Sequence, residues 1–176
     1  MTSYVDADRD GYAACLEDCD DLHASAHPGG VEVCDDAIDN DCNGTADDVD
    51  PDGDGFFCAN DCRPNDAGVW ATPGETGGLS VSRVGMDAVG SWSEPSPQGG
   101  LEAFTYYDAV VSTAPGDFLG SASCVATDTS TRSFTDPIEP PAGSVRFYLL
   151  HAENACGGGT FGHASSGMER SVRSCP

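Results

Sequence analysis

Three segments of this 176-residue chain space oxygen donors as a hard divalent cation requires. Calcium takes six to eight oxygens at about 2.3 to 2.6 Å, and a short loop supplies them when acidic side chains alternate, a main-chain carbonyl joins them and a glycine permits the sharp turn. In the first segment Asp6, Asp8 and Asp10 stand at positions 1, 3 and 5, Gly11 at 6, the Tyr12 carbonyl at 7 and Glu17 at 12, the pattern of a twelve-residue calcium loop. In the last, Asp50, Asp52, Asp54, Gly55 and the Phe56 carbonyl lead to Asp61 at position 12. Between them Asp39, Asp41, Asn43, Gly44 and the Thr45 carbonyl are followed by Asp47 at position 9 and Asp50 at 12. Asp50 is thus claimed twice, as a bridge between two ions or by one site. Aligning the repeats at their cysteines pairs Asp61 with Asp18, so Glu17 and Asp18 are alternatives for closing the first loop. The expected cofactor is calcium, two or three ions, held structurally because no amphipathic helices flank the loops.

The segments around these donors have little else to hold them. Residues 1 to 68 contain 19 Asp or Glu against two Arg, a net −17 of the chain's −23. Asp, Gly, Asn and Pro recur every few positions, and no apolar period of 3.6 or 2 persists. Burial alone cannot offset a backbone ordering cost of about 1 to 2 kcal/mol per residue in such a segment. Nine cysteines are present, six of them in this half, and small exported domains use disulfides in place of a core. The acidity excludes nucleic acid and anionic lipid as partners, because phosphates would meet almost no Lys or Arg. The absence of lysine points to a GC-rich bacterial genome. No run is long and apolar enough for a membrane span, and Met1 to Gly11 lacks the basic start and apolar stretch of a signal peptide, so a piece of a longer exported chain is expected.

The acidic half resembles the metal-binding repeats of bacterial surface proteins called MopE-type, which are similar to thrombospondin type 3 calcium repeats. The resemblance rests on Asp10-Gly11-Tyr12, on Asp18-Cys19-Asp20-Asp21, on His27-Pro28-Gly29-Gly30 with Glu32-Val33-Cys34-Asp35, and on Ile38-Asp39-Asn40-Asp41-Cys42-Asn43-Gly44. It covers about residues 4 to 68. One departure is Cys34-Asp35-Asp36-Ala37, a residue longer than the family's usual Cys-Asp-Gly. The resemblance implies disulfides Cys15–Cys19, Cys34–Cys42 and Cys58–Cys62. The family name carries an association with copper, and Cys15, Cys19, His23 and His27 recur at spacings of four. One helix cannot wrap four ligands around an ion, and zinc modules separate the Cys pair from the His pair by a long excursion, so copper or zinc is not expected there.

From the boundary at residues 70 and 71 onward the texture changes to short alternating runs separated by Gly and Pro, as in a β-sandwich. Gly78 to Val84, Ala88 to Ser93, Phe104 to Ser112 and Val145 to Ala152 read as strands A, B, C and F. Residues 73 to 176 resemble a fibronectin type III domain, on Pro73 before Gly78-Leu79-Ser80-Val81, Trp92 with Pro95, Tyr107-Asp108-Ala109-Val110-Val111, and Tyr148-Leu149-Leu150-His151-Ala152-Glu153-Asn154-Ala155-Cys156-Gly157. The family's corner tyrosine would fall near Arg146, so that cross-link is absent or made by Tyr148. In this topology Cys124 and Cys156 lie at one end of the sandwich and are expected to pair, leaving Cys175 free or bonded elsewhere.

The expected architecture is therefore mostly β: a disulfide- and calcium-stabilised loop region over 1–70, then an immunoglobulin-like sandwich of fibronectin type III kind over 71–176. No catalytic residue is expected. Gly162-His163-Ala164-Ser165-Ser166-Gly167 misses the spacing of a nucleophile elbow and reads as a turn, and Gly157-Gly158-Gly159 lacks the strand and helix of a phosphate loop. The function these features imply is a calcium-rigidified spacer of an extracellular or cell-surface bacterial protein, joined to further domains of a longer chain. Adhesion to a glycan or protein through the sandwich, and service as an ancillary domain of a secreted hydrolase, are the alternatives.

Overall fold

The computed structural model describes residues 5–13 and 18–176. Cys15 and Glu17, and with them one end of the expected Cys15–Cys19 bond, lie outside the described residues. The chain divides into two compact units, Met1–Ala67 and Gly68–Pro176.

The acidic unit consists of turns and a single 3₁₀ turn, Cys58–Asn60, among its described residues. Its disulfides are not the local ones implied by the family resemblance. Cys19 bonds Cys42, 23 residues away, and Cys34 bonds Cys58, 24 away. This corrects Cys15–Cys19, Cys34–Cys42 and Cys58–Cys62. Cys62 is itself disulfide-bonded. The reason is topological: each acidic loop is already closed by its own carboxylate hydrogen bonds, so the sulfurs join one repeat to the next. Cross-links of this span contribute about 3 kcal/mol each through lost unfolded-state entropy. Main-chain bonds from Cys58 N to Val49 O and from Ala59 N to Asp47 O tie the last two repeats together.

In the second unit the strands are β1 Glu75–Thr76, β2 Ser80–Val84, β3 Asp87–Ser91, β4 Pro95–Ser96, β5 Tyr106–Ser112, β6 Ser123–Thr129, β7 Ser133–Asp136, β8 Phe147–Asn154 and β9 Gly157–Gly158. A three-stranded sheet ordered β2-β3-β7 packs on a four-stranded one ordered β6-β5-β8-β9, all antiparallel, with β1 paired to β4. This is the immunoglobulin-like sandwich expected from the sequence. Tyr107, Ala109, Leu150 and Ala152 point inward from the larger sheet and meet Trp92 and Phe134. The three large rings interlock, Trp92 edge-on to Tyr107 at 5.5 Å between centroids and 6.1 Å from Phe134.

Strand β5 is buried on both faces from Tyr107 to Ser112. Its outward Val110 packs with Phe118 and Ala122, and the C-terminal segment adds Phe161, Val172 and Cys175 over it. Cys175 bonds Cys124 and closes this outer layer. That corrects the expected Cys124–Cys156 pair; Cys156 is also disulfide-bonded. The segment from Gly162 to Gly167 is a turn, and Val172 beyond it bridges to Phe118 rather than forming a full strand.

Tyr148 cross-links the two sheets. Its hydroxyl donates to Asp136 Oδ2 at 2.9 Å, joining β8 to β7, while Arg146 Nη2 sits 2.8 Å from the same oxygen. Asp136 Oδ1 accepts from Ile138 N at 3.0 Å. Burial, then the Asp136 carboxylate, pushes the Tyr148 hydroxyl above its ordinary value of 10.0.

Candidate metal centre

The three acidic loops share one backbone conformation. Position 4 is left-handed in each, at Arg9 (φ 70°), Cys42 (φ 59°) and Gly53 (φ 79°); position 6 is Gly11, Gly44 and Gly55 at φ 101°, 103° and 96°. Only glycine adopts that last region without strain. The first carboxylate of each loop produces the turn: Asp6, Asp39 and Asp50 accept the position-6 amide at 3.2, 2.8 and 2.9 Å. The second carboxylate accepts the position-5 amide, with Asp8, Asp41 and Asp52 at 3.1, 3.0 and 3.3 Å. The third donor accepts the position-7 amide, with Asp10, Asn43 and Asp54 at 2.7, 3.0 and 2.8 Å.

The first carboxylate of each loop spends both oxygens on main-chain amides, whereas several of the others use one oxygen and leave the second over. Oδ2 of Asp8, Asp10, Asp18, Asp52, Asp54 and Asp61, and Oδ1 of Asp47, are buried with no hydrogen-bond partner. Buried polar atoms are otherwise almost always paired, and a buried carboxylate oxygen without a donor is among the costliest exceptions. Asp6, Asp8 and Asp10 form one donor group, Asp50, Asp52 and Asp54 a second, and Glu32, Asp39 and Asp41 a third, with ligand atoms within 4.8 Å of one another.

Asp18 and Asp61 occupy equivalent places. Each accepts from the amide two residues on, at 2.9 and 2.7 Å, and each holds its second oxygen buried. The charge of Asp18 acts on Asp8, and those of Asp50, Asp52 and Asp54 act on Asp61. Burial pushes the carboxyls of both Asp8 and Asp61 above the ordinary value of 3.8. Asp50 groups with Asp52 and Asp54, whereas the middle loop gains Glu32, whose two oxygens accept the amides of Asp41 and Asp47, each at 3.0 Å. Glu32 was missed in the sequence because it precedes its loop by seven residues.

Asn40, completely buried, was also missed. Its side chain accepts from Val33 N at 2.8 Å and donates to Ser25 Oγ, and its carbonyl accepts from His27 N at 3.0 Å. Gly30 lies so close that a Cβ there would stand 2.9 Å from the Asn40 carbonyl carbon. Gly30→Ala is therefore expected to cost about 1 to 3 kcal/mol by overpacking against rigid backbone, read as a lower denaturation midpoint of the acidic unit.

Of the Cys and His residues at fourfold spacing, Cys15 lies outside the described residues and the other three have partners of their own. Cys19 is spent in its disulfide, His23 Nδ1 bonds Asp20 Oδ2 at 2.8 Å, and His27 stacks on Tyr12 at 5.1 Å. In the sandwich Asp108, His151 and Glu153 form a further donor group. Burial first, then a hydrogen bond with Asp128 and the charges of Asp108 and Asp128, push the Glu153 carboxyl up to about 7.

Residues 18–48 match the family model Cu-binding_MopE, described as "Putative metal-binding motif". That span contains Asp18, Glu32, Asn40 and the middle loop. No curated protein matches the chain. Among solved structures, a crystal structure of titin domains is similar at 22% identity and a TM-score of 0.39, over 49% of this chain and 28% of that one. The chain spans little more than a quarter of that relative, and what the comparisons identify is a metal-binding motif within the acidic unit.

Proposed function

We propose that the acidic unit binds calcium at three loops and serves as a rigid spacer in an extracellular or cell-surface bacterial protein, joined to a sandwich that presents or connects neighbouring domains. The observation that carries this reading is the set of seven buried carboxylate oxygens left without donors, distributed over all three loops. An all-oxygen donor set suits a hard cation such as calcium and disfavours soft ions. The first site would comprise Asp6, Asp8, Asp10, the Tyr12 carbonyl and Asp18. The middle would take Glu32, Asp39, Asp41, Asn43, the Thr45 carbonyl and Asp47; the last Asp50, Asp52, Asp54, the Phe56 carbonyl and Asp61. Bound ions would neutralise carboxylates whose repulsion otherwise opposes folding. Disulfides joining successive repeats suit an oxidising compartment, where calcium is abundant enough to fill even sites of about 10⁻⁴ to 10⁻³ M.

Calcium titration calorimetry, paired with metal analysis of protein purified without chelator, tests the reading. Three equivalents are expected, falling to two in Asp61→Asn. Copper or zinc bound to the acidic unit with no calcium heat would overturn it.

A further inference from the structure

We propose that Asp108, His151 and Glu153 form a second, chemically distinct site, on the outer face of the four-stranded sheet, for a first-row divalent transition ion of the zinc class. Asp108 on β5 lies directly opposite His151 on β8, and Glu153 follows two residues later, on the same face. The histidine is oriented in advance. Its Nδ1 is 3.1 Å from the Gly159 carbonyl oxygen, and a carbonyl only accepts, so Nδ1 carries a proton and Nε2, when it carries none, presents a lone pair. The ring stacks on Phe161 with 4.0 Å between centroids. Donation of the second ring nitrogen to a carbonyl is the usual outer support of a metal-bound histidine.

That lone pair faces Asp108 Oδ2 at 3.5 Å. Two acceptors so placed need a cation between them, and two ligands about 2.1 Å from a tetrahedral ion lie about 3.4 Å apart. Asp108 is only 4% exposed, so its charge cannot be satisfied by bulk water. Its Oδ1 is already engaged by the Asp128 amide at 3.0 Å. A bulge in β6, where two residues stand opposite Asp108 alone, brings Asp128 to the site and offers a further carboxylate. Gly158 leaves the room, since a Cβ there would approach His151 Cε1 to 3.1 Å. An imidazole beside carboxylates suits zinc-class ions, whereas the all-oxygen loops suit calcium, so the two ions would sort between the units.

The test is zinc titration of the whole chain held in saturating calcium, comparing the native protein with Glu153→Gln and with His151→Phe, which keeps a ring against Phe161. One calcium-resistant zinc equivalent is expected, weakened at least about 10- to 100-fold in each variant, with calcium binding unchanged. Cobalt in place of zinc should broaden the NMR signals of the His151 ring and the Gly159 amide. No zinc uptake by a folded native protein, or uptake by both variants equal to that of the native protein, overturns the proposal. Zinc-free protein with a doubly protonated His151 ring and no response to zinc would show that a proton, not a metal, joins His151 to Asp108.

Discussion

Moving the protein from saturating calcium into a calcium chelator is expected to melt the acidic unit while leaving the sandwich folded. Each ion held at a hundred times its dissociation constant stabilises the native form by about 2.7 kcal/mol, and three such ions by about 8 kcal/mol. That is comparable with the entire stability of a small domain. Without the ions the unit keeps its disulfides and a few buried groups, but seven carboxylate oxygens lose the only partners they could have. Limited proteolysis with and without chelator measures the effect, and an acidic unit equally resistant in both conditions would refute a structural role for calcium.

The pH response should change sign with the ion. In metal-free protein burial raises the Asp8 and Asp61 carboxyls above 3.8. Groups shifted this way contribute stability that is fully present below the unfolded value of 3.8 and is lost as pH rises through the raised folded values. Calcium requires the ionised form and reverses the slope, so the loaded unit should gain stability over the same window. Denaturation midpoints in chelator and in calcium on either side of this range would show the two trends diverging.

The second large effect is expected at Asp136. Its 1%-exposed carboxylate meets both Arg146 and the Tyr148 hydroxyl. Asp136→Ala would strand the guanidinium, which is itself only 11% exposed, and breaking such a buried pair costs about 3 to 5 kcal/mol. For a unit of this size the melting temperature should fall on the order of 15 °C. Removing both charges, as in Asp136→Leu with Arg146→Met, should recover most of the loss, because a buried ion pair contributes little beyond an apolar replacement. Differential scanning calorimetry in calcium checks both variants, and a double variant no better than Asp136→Ala would show that the Tyr148 bond matters more than the charge pair. Calcium binding should be unaffected in either.

The strands legible in the sequence were those with regular alternation over an apolar face, β2, β3, β5 and β8. Strands β6 and β7, Ser-Cys-Val-Ala-Thr-Asp-Thr and Ser-Phe-Thr-Asp, gave no such signal, since they are rich in polar residues and β7 places one of them, Asp136, in the interior. The outer layer over Val110 was equally hidden, because Phe161, Val172 and Cys175 reach it from a segment with no periodicity of its own.

By itself the sequence determined the acidic loops. Asp at position 1 and Gly at position 6 produce the turn through hydrogen bonds spanning at most five residues, so the local order of residues suffices to specify it. Tertiary structure alone decided which carboxylates gather around each loop and which cysteines meet. Glu32 belongs with the middle loop, Asp50 with the last, and Asp18 is placed in the first as Asp61 is in the last. Cys19 finds Cys42, Cys34 finds Cys58, and Cys124 finds Cys175. The cysteine pairings depend on segments 23 or more residues apart arriving at one place, and no spacing along the chain encodes the distance between them in space.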